Sequence, residues 1–305
     1  MARAARFLEG AARHVADRRI AVSPFTARRM SGRAHGTAGR GDSGGDRGEA
    51  QVRGVDGMDV VGNGVDLVAM SGATVDEQRS DLIYVGRLID EKRVDLLIHA
   101  VAGLIGRFPD LRCVIVGDGP ERAALNALAE ERGVAGHIAF LGRVSDERVP
   151  SLMRASRVLV LPSAREGYGI TVVEGQACRL VPVVAASPMS AAPDLIADGV
   201  DGLIFDPTPA GLTTVLADLL GDGRRLRRMA RAARATADQR GWDGRALEME
   251  RVYIDLVAGR RGAGTKASPV IIRPLGVTGP AVLAGASESR SEFMTDHPPL
   301  LGEPR

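Results

Sequence analysis

The residues best placed to do chemistry lie in LPSAREGYGITVVEGQAC, residues 161–178. An apolar run ends at Ser163, the Gly-rich turn Glu166-Gly167-Tyr168-Gly169 follows, and helical spacing begins near Ile170. A turn of this kind leaves free amides at a helix amino terminus, and those amides together with the helix dipole favour an anion such as phosphate. Glu166 and Glu174 stand eight positions apart, one in the turn and the other about two helical turns on. Carboxylates beside a phosphate repel it unless they accept hydrogen bonds from hydroxyls, and a sugar and a ribose supply such hydroxyls. A helix-terminal charge plus a surface residue is the plainer alternative for the two Glu, and these residues alone leave it open.

A second group lies earlier. Arg87 and Lys92, five residues apart, follow the apolar run LIYVG (82–86). Arg offers a planar fork and Lys a point charge, a pairing that suits a diphosphate. Of the forty basic residues, only Lys92 and Lys266 are lysine, which draws attention to Lys92. Solvated surface charge is the alternative for both cations. Gly86 and Gly117 end two such runs, where glycine lets a ligand approach the backbone; a simple strand-to-helix turn would explain either one alone. Neither turn carries G-x-G-x-x-G, so a nicotinamide dinucleotide is disfavoured.

Elements must bring these groups together. Short apolar runs at 82–86, 113–117, 138–142, 158–163, 181–186 and 203–205 alternate with helical patterns at about 92–107, 119–132, 146–155, 169–179, 190–198 and 209–220. This alternation predicts βα units, a parallel sheet and helices on both faces. In such sheets ligands bind outside the carboxyl ends of the strands. Residues 223–236 and 243–258 read as closing helices. At the front, a helix over 4–18, a short strand Arg19–Val22 and a helical turn after Ser23-Pro24 are expected. Residues 31–57 are too poor in apolar groups to offset chain entropy and read as a linker. Residues 259–305 read as a flexible tail.

Composition excludes several classes. Aromatic residues make up 3% of the chain, against base-stacking nucleic-acid modules. The net charge of +2 does not ask for a polyanionic partner. Residues 1–50 are locally basic, with ten Arg against five acidic residues, either as a solvated face or for peripheral contact with an anionic membrane. Cys113 and Cys178 form no C-x-x-C pair, and no run approaches a membrane span, so a reduced cytoplasmic setting is the expectation. There is no D-x-D, HExxH or clustered Cys/His, so neither metal nor cofactor is expected. His99 and His137 fall among structural elements, and His14 and His35 sit in contexts unrelated to the motifs.

Taken in order, VGRLIDEK (85–92), VGDGP (116–120), FLG (140–142) and Glu166-x7-Glu174 within PSAREGYGI resemble the donor domain of family 4 glycosyltransferases, over about residues 58–258. AVSPFT (21–26) and VVGNGVDL (60–67) resemble the family's junction between its two domains. The resemblance implies one half of a GT-B fold, a Rossmann-like α/β domain. Residues 1–57 would be a truncated remnant of the other half plus the linker. It implies a retaining enzyme that moves a hexosyl-type sugar from a nucleoside diphosphate sugar to an acceptor hydroxyl, on a glycan or a lipid-linked molecule. Arg87, Lys92 and Glu166 would be its catalytic residues. Arg87 and Lys92 would hold the diphosphate, and Gly86 and Gly117 would let it come close. Glu166 and the amides of Gly167 to Gly169, with Ile170 opening the helix, would bind the sugar. Glu174 would take the ribose hydroxyls and Val144 would lie near the base. Tyr168 would fill the aromatic place in the turn. Arg93 and Arg179 stand where the family usually has glycine. The rival readings are a nucleotide-sugar-binding module without transfer and a GT-B sugar-nucleotide epimerase.

Overall fold

The computed structural model describes residues 19–30 and 58–262. The expected helix over 4–18, the linker at 31–57, the tail beyond 262, His14, His35 and Lys266 lie outside the described residues. Strands β1 (Ile20–Ala21) and β2 (Asp59–Val60) pair in parallel, and helix α1 (Pro24–Met30) follows β1. Helix α2 (Leu67–Gly72) begins at Asp66, whose carboxylate accepts the Ala69 amide at 2.8 Å. That side-chain cap satisfies one of the helix's orphan donors, a start signal that sequence reading passed over.

A parallel six-stranded sheet carries the main body: β3 (Leu82–Val85), β4 (Cys113–Val116), β5 (Ile138–Gly142), β6 (Val158–Leu161), β7 (Val181–Ala185) and β8 (Leu203–Phe205), in the order β5-β4-β3-β6-β7-β8. Around it stand α3 (Val94–Leu104), α4 (Arg122–Glu131), α5 (Arg148–Arg154), α6 (Ile170–Ala177), α7 (Pro209–Gly221), α8 (Gly223–Ala237) and α9 (Trp242–Gly262). The strands are continuous apolar runs because both faces are covered. Leu82, Tyr84, Cys113, Ile115, Val158 and Val160 enter one core cluster. Their alternates Ile83, Val114, Val116 and Leu159 enter a second cluster with Leu152 and Met153 of α5. Each fully buried Leu or Ile stabilises this arrangement by roughly 1.5–3 kcal/mol.

Two expectations need correction. Residues 190–198 form only a short 3-10 turn, Ala192–Leu195, and Ile196 is already extended. Pro193 has no amide to donate, and the buried Asp201 carboxylate accepts the Ala197 amide at 2.6 Å, so the groups a longer helix needs are missing or engaged elsewhere. The last helix continues past residue 258 to Gly262. By contrast, Arg93 and Arg179 are the non-glycine residues with left-handed φ among the described residues, at 49° and 66°. Both lie where glycine was expected.

The strand order marks where a crevice can form. From β3 the chain runs outward through β4 to β5, then returns to add β6 on the other side of β3. The loops leaving β3 and β6 therefore diverge at a switch point, the place where open α/β sheets form a crevice.

Candidate functional site

The loop after β3 is built from the inside. Tyr84, fully buried, donates its hydroxyl to the Arg87 carbonyl at 2.9 Å, which holds the turn while the Arg87 side chain stays exposed. Lys92 closes a 3-10 turn (Asp90–Lys92), its amide donating to the Ile89 carbonyl at 2.9 Å. Arg93 then adopts its left-handed φ before α3, held by a two-pronged contact with Asp95 at 3.0 Å.

The loop after β6 is stitched to this turn. The Ala164 amide donates to the Glu91 carbonyl at 2.9 Å, Arg165 pairs with Glu91 at 2.9 Å, and the Lys92 ammonium donates to the Glu166 carboxylate. The Lys92 and Glu166 side chains are 16% and 14% exposed, so this ion pair is sheltered. The Glu166 backbone is in turn held by 189–191: its amide donates to Met189 at 3.2 Å and its carbonyl accepts from Ala191 at 2.9 Å. Burial raises the Tyr84 phenol pKa; the Glu166 carboxylate raises it further and the Arg87 guanidinium opposes them. Lys92 and Glu166 thus meet where the loops after β3 and β6 come together, and Arg87 stands two residues beyond the end of β3. Ser163, just before this stitching, is buried with its hydroxyl unpaired among the described residues.

Gly169, with φ of 90°, is the residue before α6, and its conformation suits glycine. Ile170 opens the helix and is half-buried, and Gly167 is exposed. Glu174 is half-buried farther along α6, and its pKa is raised first by burial and then by the Asp146 carboxylate. Asp146 belongs to the loop after β5. In that same loop Val144 packs against the second core cluster.

Three of the expected site residues also have a role in the packing of the protein itself. Gly117 has φ of 132°, and a Cβ there would lie 1.8 Å from the Gly86 carbonyl oxygen. The backbone that approaches Gly117 so closely is therefore the neighbouring turn of the protein. A Cβ on Gly86 would lie 2.7 Å from the Tyr84 hydroxyl, so that glycine too answers to internal packing. Tyr168 does not offer its ring to a ligand: it is 9% exposed, and its hydroxyl donates to the Asn63 carbonyl at 3.1 Å.

Sequence reasoning missed Tyr84, Glu91 and the amino-terminal contacts. The Thr26 hydroxyl donates to the Gly167 carbonyl at 3.3 Å and Arg28 pairs with Asp194 at 2.8 Å. Tyr84 was hidden inside an apolar run, and the others act through contacts across long stretches of chain. A neighbouring cleft of about 510 Å³, lined by Asp90, Glu91, Asp95 and Glu121 among others, includes none of Arg87, Lys92 and Glu166. Its carboxylates suit the amino termini of α3 and α4 and repel phosphate. Among the described residues no His, Cys, Asp and Glu group could hold a metal ion, and no helix is long and apolar enough to cross a membrane.

A family model described as glycosyl transferases group 1 matches residues 71–236. A GDP-mannose-dependent alpha-(1-6)-phosphatidylinositol monomannoside mannosyltransferase of Mycolicibacterium smegmatis is 34% identical over 194 residues, 61% of this chain and 49% of that protein. A D-inositol 3-phosphate glycosyltransferase of Streptomyces avermitilis is 36% identical over 181 residues, 56% of this chain and 39% of that protein. The chain spans about two fifths to a half of the length of the curated relatives it matches. Among solved structures, Anabaena HepE in complex with UDP superposes with a TM-score of 0.67 at 21% identity, over 83% of this chain and 67% of that one, a likeness of fold. WaaG, a glycosyltransferase involved in lipopolysaccharide biosynthesis, superposes with a TM-score of 0.51 at 27% identity, over 62% of this chain and 49% of that one.

Proposed function

Because this chain belongs to the glycosyl transferases group 1 family, we propose that it binds a nucleoside diphosphate sugar at the β3/β6 switch point and takes part in transferring the sugar, with retention, to an acceptor hydroxyl. The observation that carries this reading is the sheltered Lys92–Glu166 pair, which joins the two loops that flank the crevice. A diphosphate entering there takes Lys92 and the exposed Arg87 as counter-charges and leaves Glu166 to accept hydrogen bonds from sugar hydroxyls. The amides at the start of α6 add a further share of positive potential.

As the bond from sugar to phosphate breaks, negative charge grows on the leaving phosphate. Fixed cations and amides stabilise that charge more than they stabilise the bound donor, and this difference lowers the barrier. Arg87, Lys92 and the α6 terminus are proposed to fill the place a metal ion takes in other sugar transferases, so the reading requires neither metal nor cofactor. Glu174 and Val144, on the β5 side, would meet the ribose and the base. The acceptor is proposed to be a hydroxyl on a glycan or a lipid-linked molecule, a reading supported by the relative named for phosphatidylinositol monomannoside. The buried, unpaired cysteines fit a cytoplasmic setting.

A thermal-shift panel of UDP and GDP hexoses tests the binding reading, since a ligand that binds only the folded state raises the melting temperature. Incubation with the same donors carrying labelled sugar tests transfer. A panel that leaves the melting temperature unmoved at millimolar ligand refutes the reading.

A further inference from the structure

The Glu166–Gly169 turn is tied to parts of the chain that do not belong to the sheet. On one side the Thr26 hydroxyl of α1 donates to the Gly167 carbonyl at 3.3 Å. On another, Tyr168 turns inward, its hydroxyl donating to the Asn63 carbonyl at 3.1 Å. Gly62, next to Asn63, has no room for a side chain, because a Cβ there would lie 2.8 Å from that hydroxyl. Residues 62–65 form the segment leading from β2 to α2, and the chain entering α9 runs beside it in parallel, bridged at Val65 and Gly241. The Val65 amide donates to Arg240 at 3.1 Å and the Trp242 amide donates to Val65 at 3.3 Å. Beside this bridge the half-buried Arg240 donates to the Gln176 side-chain oxygen of α6 at 3.1 Å and to the Leu195 carbonyl at 2.8 Å. One bridged pair of connecting segments is thus bonded to the turn through Tyr168 and to the following helix through Arg240.

From these contacts we propose that Tyr168 is a positioning residue that sets the place of the Glu166 carboxylate through the Asn63 contact, so that a shift of the 62–65 segment reaches the sugar side of the site. A ring buried against a connecting segment has no free face for a ligand, whereas its hydroxyl makes the turn's one direct side-chain bond to that segment among the described residues. Glu166, two residues earlier, has its backbone closed against Met189 and Ala191. Those two amide bonds report whether the turn is held. The proposal rests on the reading that this turn faces the sugar of the donor, and its test has one arm that needs no donor.

Tyr168→Phe keeps the ring and removes the bond. In the ligand-free protein the Glu166 and Ala191 amides should exchange with solvent about fivefold faster, the change that loss of one neutral hydrogen bond produces. Amides of the β4 and β6 strands should stay unchanged. In calorimetry, affinity for UDP-glucose or GDP-mannose, whichever the protein binds, should fall about fivefold, while affinity for the bare UDP or GDP stays within twofold. A uniformly weakened fold would lower both affinities alike, and that result overturns the proposal, as does unchanged exchange at Glu166 and Ala191. Gly62→Ala pushes on the same hydroxyl from the other side and should reproduce the pattern; it decides the matter if the Tyr168 variant does not fold. If the native protein binds none of the four ligands, the donor reading falls, and the exchange arm still decides whether Tyr168 holds the turn.

Discussion

Replacing Gly117 by alanine separates two reasons for a glycine at a strand end. If glycine is there so that a ligand can approach, the variant folds normally and loses affinity. The structure gives a different reason. A Cβ at residue 117 would lie 1.8 Å from the Gly86 carbonyl oxygen, so the turns after β3 and β4 must part by about 1.6 Å to reach an ordinary 3.4 Å contact. Overpacking of this kind costs about 1–3 kcal/mol. The φ of 132° adds a backbone cost of about 1–3 kcal/mol for any L side chain. Together they destabilise by ~4 kcal/mol, a fall in melting temperature of about 8–16 °C for a domain of this size. The assay is thermal unfolding followed by circular dichroism without ligand. Gly106→Ala serves as the control, since a Cβ there meets nothing within 4 Å, and it should melt within about 2 °C of the native protein. Moving the Gly86 carbonyl also displaces Arg87, so donor affinity falls as a consequence. A Gly117→Ala protein that melts within about 2 °C of native and loses only affinity refutes the packing argument.

Other outcomes follow from the same geometry. Lys92→Ala removes the partner of a sheltered Glu166 and the proposed counter-charge of the diphosphate, so donor affinity in calorimetry should fall about 10- to 100-fold, as for loss of a charged hydrogen bond; unchanged affinity removes Lys92 from the site. Glu174 has a raised pKa, so the folded state holds its proton more tightly than the unfolded chain, and stability declines as pH rises from the ordinary carboxylate range through the raised value. Glu174→Gln lacks that penalty and should melt higher than native at pH 7, with the gain vanishing in acid; an equal gain at both pH values contradicts the assignment. Arg179 is exposed with φ of 66°, one residue beyond the Cys178 cap of α6. Arg179→Gly should stabilise by about 1 kcal/mol, raising the melting temperature by about 2–4 °C.

Much of the fold was legible because it is written in local patterns. LIYVG, CVIVG and VPVVAA announce strands covered on both faces, and the apolar spacing between them announces helices, since burial imposes a period on each element separately. Arg93 and Arg179, picked out where glycine was expected, both have left-handed φ, because a backbone that needs φ above zero needs it whatever side chain it carries. The expected helix over 190–198 failed for a non-local reason: Asp201 takes a backbone amide that local spacing assigns to the helix.

The sequence by itself determined the strands and helices, their parallel arrangement, and the short list of cations, carboxylates and glycines at strand ends. Tertiary structure alone decided which of these meet. Lys92 and Glu166 are 74 residues apart in the chain and touch because β6 lies beside β3. Tyr168 and Asn63, 105 residues apart, meet because the segment after β2 packs against the turn after β6. Periodicity reports how each residue faces solvent or core, a property of its own element. Contact between loops depends on the order in which strands join the sheet, and no local period encodes that order.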